Sequence, residues 1–154
     1  MDRITFQKVT ACEYPSLFPI YKKYLYPAIE KSFGWNEEFQ IQRFSNSYKK
    51  EWLEWIIFNG ERLGLICTKQ EEASVHIYLL IIFEKYQKKG VGSAVMKYYQ
   101  RYYSDRVTKC CLSAFKSNQQ VIDFYLSLGY QIVSEDKHFV DMERSLCFNG
   151  YMGY

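Results

Sequence analysis

Gln87, Lys88, Lys89, Gly90, Val91 and Gly92 gather two lysines and two glycines at one turn of the chain. Before them runs "VHIYLLIIF", almost unbroken in apolar character, and after them "GSAVMKYYQRYY" has helical spacing. A strand that passes through Gly-x-Gly straight into a helix presents free backbone N–H groups and the positive end of the helix dipole. Such a turn suits a pyrophosphate: glycine lets the backbone approach, and Lys88 and Lys89 add charge. Two other phosphate-binding patterns fail on spacing. The dinucleotide fingerprint wants G-x-G-x-x-G or A and an acid ending the next strand, but Val95 and the Cys110-Cys111 pair stand there. The nucleotide-hydrolase loop G-x-x-x-x-G-K-[ST] is absent. The five cysteines form no C-x-x-C and are odd in number, so neither a zinc cluster nor a disulfide framework is indicated, and no metal is expected.

The elements that must hold this turn follow from periodicity. "RITFQKV" suits a first strand with one buried face. From Glu13 to about Phe33 apolar residues recur at helical spacing, with bends expected near Pro19 and Pro27. Gly34 closes that helix, and Asn36, followed by Glu37 and Glu38, opens a second. "WLEWIIF" and "RLGLICT" flank Asn59-Gly60, the preferred pair for a type I′ hairpin turn. "SVHIYLLIIF" is apolar on both faces from Ile77 onward and so belongs in the sheet interior. After the glycine turn comes a helix to about Ser104, with Val91, Val95, Tyr98 and Tyr102 as one stripe and Met96, Tyr99 and Tyr103 beside it. "VTKCCLSAF" is a further strand. Ser117 and Gln120 spell a capping box for the helix "NQQVIDFYLSL", which Gly129 ends. "YQIVSE" and "HFVDMERSL" are the last two strands, and "CFNGYMGY" has no clear pattern.

Helices interleaved with a mixed sheet make an α/β (α+β) layer fold. At 154 residues and 48% hydrophobic composition the chain is expected to form a single domain, 1–154, with its own core. No segment has the length of a membrane span and the N-terminus lacks the apolar stretch of a signal peptide, so a cytoplasmic protein with reduced, mostly buried thiols is expected. A net charge of +3 is far from that of a dedicated nucleic-acid binder. "KYYQRYY" interleaves bases and aromatics, yet helical periodicity accounts for it as core plus rim.

The pattern Q-x-x-G-x-G after a buried strand and before an amphipathic helix resembles the pyrophosphate loop of the GNAT superfamily of acyl-CoA-dependent N-acetyltransferases. "NQQVIDFYLSLGY" resembles that family's N-x-x-A-x-x-F-Y-x-x-x-G-[FY] segment, with Asn118, Phe124, Tyr125, Gly129 and Tyr130 in matching places. The element order agrees with the family's mixed, mostly antiparallel sheet flanked by helices. The chain departs from the pattern at Glu84, often Pro in the family, at Lys88, often Gly, and at Val121, usually Ala. Ser113 stands where some members have a catalytic Glu.

The resemblance implies acetyl transfer from acetyl-CoA to a primary amine of a small molecule or peptide, with no metal. Acetyl-CoA would contact the backbone near Leu80 and Ile82, the loop Gln87, Lys88, Lys89, Gly90, Val91, Gly92 and Ser93, and Asn118, with Lys116 a lesser phosphate candidate. Tyr125 matches the family's general acid, against the alternative that "FY" on a short helix is core packing. A lysine-like amine of pKa ~10.4 is neutral at pH 7 in about one molecule of a few thousand, so a general base would help. Counting back from Gln87 places His76 where histone-type members hold that base, and an imidazole of pKa about 6.5 suits the task. The alternative is a half-exposed histidine at a strand start. For the acceptor, Trp35, Glu37, Glu38 and Gln40 could hold a cationic amine, or could be core and dipole-compensating surface. The same fold could also serve as an acyl-CoA-binding module without catalysis. Neither a membrane nor a nucleic acid is expected as partner, and the sequence leaves the oligomeric state, a dimer included, open.

Overall fold

The structure, a computed structural model, describes residues 3–146. Cys147 and the tail after it lie outside the described residues. Seven strands and four α-helices alternate as β1 (Thr5–Lys8), α1 (Leu17–Phe33), α2 (Glu37–Ser47), β2 (Leu53–Phe58), β3 (Glu61–Gln70), β4 (Ser74–Ile82), α3 (Val91–Tyr103), β5 (Lys109–Phe115), α4 (Gln119–Ser127), β6 (Gln131–Glu135) and β7 (Phe139–Ser145). They form one sheet in the order β1-β2-β3-β4-β5-β7-β6. All neighbours are antiparallel except β4 and β5, which the α3 crossover joins in parallel. The mixed fold expected from periodicity is thus present, with its elements in the expected order.

Local chemistry sets the boundaries. Asn59 and Gly60 both have positive φ, 52° and 77°, as a type I′ turn demands. Asn36 caps α2 by accepting from the Phe39 N–H at 2.8 Å. Pro19 falls in the first turn of α1, where its missing N–H leaves no gap, and the helix continues through Pro27 to Gly34.

Two expectations are corrected. The cap of α4 is Asn118, whose side-chain oxygen accepts from Val121 N–H at 3.3 Å; the Ser117-Gln120 box is out of register by one residue because the turn Asn118 N–H to Phe115 O places Asn118 at the helix mouth. On α3, Val95, Met96 and Tyr99 are the buried stripe, while Tyr98 and Tyr102 are 38% and 46% exposed. Those two rings stack on each other along the outer rim instead, and Tyr98 packs against Phe6 of β1. The thiols are mixed as well: Cys67 and Cys110 are buried, Cys111 is half-buried and Cys12 is exposed, all four free.

The sheet divides the core in two, and β4 belongs to both halves. Val75 and Ile77 pack beneath α3 and α4 with Val95, Met96, Ile122 and Tyr125. Leu79 and Ile81 pack on the opposite face beneath α1 and α2 with Tyr21, Ile29 and Phe44. The switch occurs at Tyr78, an extra residue in the ladder where Cys67 faces Leu79 but Thr68 faces Ile77. A bulge of this kind reverses the alternation of every side chain after it.

Past the bulge the sheet opens. β4 and β5 pair only from Ser74/Lys109 to Ile77/Leu112. Beyond that point β4 stays with β3, as far as Ile82 opposite Gly64, and β5 stays with β7, as far as Phe115 opposite Phe139. A V-shaped gap results in the middle of the sheet. At its edge β3 presses close to β4: a Cβ added to Gly64 would lie 2.0 Å from the Ile81 carbonyl oxygen.

Candidate active site

The glycine turn sits at the mouth of this gap. Lys88 and Gly90 have positive φ, 62° and 81°, and Gly90 in the left-handed region is the cap residue from which α3 starts. No side chain caps that end, and the first bond of the helix runs from Ala94 N–H to Gly90 O. The N–H groups of Val91, Gly92 and Ser93 therefore have no intrahelical acceptor. Gly92 has a packing reason too: an added Cβ would lie 3.2 Å from the Phe124 ring, so glycine lets the start of α3 approach α4. The family's glycine at the Lys88 position is explained by the left-handed backbone there.

Three contacts fix the loop. Tyr24 of α1 accepts from Glu84 N–H at 2.8 Å, Tyr86 donates to Glu61 at 2.8 Å, and the Gln87 amide donates to the Ile82 carbonyl at 2.8 Å. Gln87 thus folds back on β4 and shapes the turn. Lys88 and Lys89 are exposed. Lys116 pairs with Glu135 at 2.7 Å, which engages the lesser phosphate candidate elsewhere.

Phe83 N–H donates to Leu63 O, so odd-numbered residues at this end of β4 direct their backbone groups at β3. Leu80 and Ile82 consequently turn theirs toward the gap, where β5 supplies no partner. The Ile82 carbonyl is taken by Gln87, and the Leu80 amide has no strand partner among the described residues.

A cleft of about 1120 Å³ runs through the gap, larger than the ~300–1,000 Å³ of an ordinary small-molecule site. Tyr125, His76, Leu80, Ile82, Gln87 and Asn118 all line it. Tyr125 is 7% exposed, packed against Phe124 and Tyr130, and its hydroxyl has no hydrogen-bond partner among the described residues. Burial, with the nearby Cys110 thiol, holds its pKa far above the usual phenol value, so the proton stays on oxygen. Asn118 uses its oxygen as the α4 cap, and its amide NH₂ has no partner among the described residues.

His76 lies on the α1/α2 face just before the bulge, half-buried, its ring stacked on Tyr78 at 4.5 Å, with Tyr78 in turn stacked on Trp52 at 5.8 Å. Burial pushes its pKa below the ordinary 6.5, opposed by the charges of Asp141 and Glu71. A neutral imidazole at neutral pH is the outcome. Asp141, also lining the cleft, accepts from Ser113 at 2.6 Å and Ser134 at 2.7 Å, and these bonds hold its carboxyl below the usual range. Ser113, where some relatives carry Glu, thus orients a carboxylate on the neighbouring strand.

The acceptor candidates separate. Glu37 is engaged by Lys22 at 2.9 Å and by the Trp35 indole N–H at 2.8 Å, and Trp35 leans on Phe18, Tyr21 and Tyr26. Glu38 is exposed at the helix start and lines no part of the cleft. Gln40 does line it, 4% exposed, accepting from the Tyr21 hydroxyl at 2.9 Å. Asp141, Tyr78 and Trp52 escaped sequence reasoning. Only the alternation in "FVDMERS", which turns Asp141 away from Val140 and Met142, carried a signal for the first.

Among the described residues no cluster of side chains could hold a metal ion, and no helix is long and apolar enough to cross a membrane.

The fold recurs in solved structures. PaiA N-acetyltransferase from Thermoplasma acidophilum in complex with coenzyme A superimposes with a TM-score of 0.71 at 15% identity, covering 93% of this chain and 99% of that one. The ribosomal-protein-S18-alanine N-acetyltransferase of Escherichia coli gives 0.66 at 17% identity over 97% of both chains. Arabidopsis thaliana Naa50, bound to the bisubstrate analogue CoA-Ac-MVNAL, gives 0.64 at 18% identity, covering 92% and 98%. At these identities the likeness is one of fold. No curated protein matches the sequence. The model of the Acetyltransferase (GNAT) family, however, matches residues 14–130, three quarters of the chain, and the chain belongs to that family.

Proposed function

We propose that the protein transfers an acetyl group from acetyl-CoA directly to a primary amine of a small molecule or peptide. The observation that carries this reading is the Tyr125 hydroxyl, buried, protonated and unpartnered at the wall of a cleft whose mouth is an uncapped helix N-terminus. A buried hydroxyl without a partner is costly unless a ligand completes it. Acetyl-CoA fits the residues present. The Val91, Gly92 and Ser93 N–H groups suit its pyrophosphate, with Lys88 and Lys89 adding charge. The Leu80 and Ile82 amides face the gap where its pantetheine amides and thioester carbonyl would lie, and Asn118 lines the same cleft.

Acetyl-CoA supplies an activated acetyl group held as a thioester. The chain's residues provide the rest. His76, neutral at pH 7, accepts a proton from the acceptor ammonium, directly or through water, offsetting part of the roughly 4–5 kcal/mol that deprotonation costs. An open β4 amide donates to the thioester carbonyl as negative charge builds on its oxygen. Tyr125 returns a proton to the departing thiolate. A thiol of pKa about 8.5 leaves readily, so this last contribution is modest.

The test is release of CoA thiol from acetyl-CoA by purified protein over a panel of amines, with the acetylated amine identified by mass. Amine-dependent release supports the reading. Acetyl-CoA binding with no release for any amine would leave a binding module on the same fold.

A further inference from the structure

The α2 wall of the cleft differs in chemistry from the β7 wall opposite. On α2, Gln40 and Arg43 stand one helical turn apart and both line the cleft, with Tyr48 just past the helix end. Gln40 is nine-tenths buried and uses one end of its amide with the Tyr21 hydroxyl; its other end, the NH₂ group, has no partner among the described residues. Exchanging the two ends of the amide leaves one polar atom unpartnered all the same. Tyr48 is 8% exposed and packs on the Tyr21 ring, with the Arg43 guanidinium close to both hydroxyls. Arg43 has no carboxylate within 4 Å among the described residues, yet its charge is near enough to the Tyr21 and Tyr48 hydroxyls to oppose the pKa rise that burial gives them. One buried donor lacking an acceptor and a guanidinium lacking a carboxylate counter-ion thus meet on one wall, beside Tyr48. A buried donor of this kind is costly unless something accepts from it.

The opposite wall has the reverse character. Asp141, and Asp136 in the β6–β7 turn, line the cleft with no cation within 4 Å among the described residues. Asp136 accepts from the His138 and Phe139 N–H groups through one oxygen, and Asp141 is oriented by Ser113 and Ser134.

We propose that Gln40, Arg43 and Tyr48 form an anion subsite for the acceptor, so that the acceptor is an amine bearing a carboxylate or phosphate, its reacting nitrogen at the His76–Asp141 wall and its anion on α2. The amine end of this inference rests on the transferase reading, whereas the anion end rests on the α2 residues alone. Arginine suits the role because its planar fork pairs with carboxylate or phosphate through two bonds.

The experiment compares ω-amino carboxylates from glycine to 6-aminohexanoate with alkylamines of equal length, and O-phosphoethanolamine with ethanolamine. It uses the wild type and an Arg43→Met variant, which retains the aliphatic stem. Two readouts are taken: kcat/KM for CoA release, and the thermal midpoint with each compound. We expect wild type to favour the anionic member of at least one matched pair by about tenfold or more. Arg43→Met should bring that ratio close to one by raising KM with kcat little changed, and Gln40→Leu should reduce it in the same direction. Preference for the carboxylates identifies one anion source, preference for O-phosphoethanolamine the other. Equal use of anionic and uncharged amines by wild type, or an unchanged ratio in Arg43→Met, overturns the subsite. If no amine is acetylated the transferase reading fails, and the midpoints still decide: stabilisation by the anionic compounds that Arg43→Met abolishes supports the subsite, and equal shifts in both proteins reject it.

Discussion

The two ends of the cleft are built from different materials. The end proposed to hold acetyl-CoA, where β4 meets α3, is made of backbone: three helix-start N–H groups, the Leu80 and Ile82 amides, and glycines that bring main chain close. The end proposed for the acceptor, between α2 and β7, is made of side chains: Gln40, Arg43, His76 and Asp141. Backbone geometry leaves a mark in sequence as glycines and periodicity, and it depends little on the side chains around it. A constellation of side chains from three elements leaves no such mark.

The largest expected effect tests how far the backbone end depends on close approach. Gly64→Ala should cost about 3 kcal/mol or more, since the new Cβ would meet the Ile81 carbonyl at 2.0 Å and β3 must move away from β4. Urea unfolding measures it, and a loss below about 1 kcal/mol would show that this edge is not tightly held.

Tyr125→Phe should lower kcat about ten- to a hundredfold with acetyl-CoA affinity intact, because it removes a proton donor and leaves the ring packing alone. Equal loss of affinity and rate would assign Tyr125 to the core, in keeping with its contacts to Phe124 and Tyr130.

His76 tests the side-chain end. Its pKa is depressed by burial, so the neutral, proton-accepting form predominates above the folded value and is lost as pH falls through it. An ascending limb of kcat lying below pH ~6.5 is therefore expected. His76→Gln should abolish that limb and lower the rate about tenfold. The same depression makes the folded state lose stability as pH drops from about 6.5 through the folded pKa, since the unfolded chain takes up the proton first. An unchanged pH profile in His76→Gln would exclude the residue from proton transfer.

The smallest effect is at Lys88. Its left-handed backbone costs about 1–2 kcal/mol in a residue with a side chain, part of which glycine's greater unfolded-state entropy cancels. Lys88→Gly should stabilise by up to about 1 kcal/mol and, with the N–H groups unchanged, weaken acetyl-CoA by no more than about threefold. A larger loss of affinity would assign Lys88 a direct phosphate contact.

How far the sequence could be read follows the same division. Asn59-Gly60, the apolar run into the glycine turn and the Asn118-to-Gly129 segment each carry their geometry in residue types, and with them came the element order. The bulge at Tyr78 lies inside "VHIYLLIIF" with no glycine or proline to mark it, so the change of face along β4 could not be seen. Asp141 meets Ser113 from a strand 28 residues away, a proximity that exists only once β7 lies beside β5. Gln40 was visible as a candidate beside Glu37 and Glu38, but which of the three faces the cleft depends on how α2 rolls against Tyr21.

The most direct test of the account is the thermal midpoint with and without acetyl-CoA, with NADH and ATP as controls. At ~100 times its dissociation constant the ligand should add about 2.7 kcal/mol, roughly 5–10 °C for a domain of this size. A shift of that order given by acetyl-CoA and not by the controls is the expected result. No shift at saturating acetyl-CoA, or an equal shift with all three, would contradict the assignment of the glycine turn and the open β4 edge as its binding site.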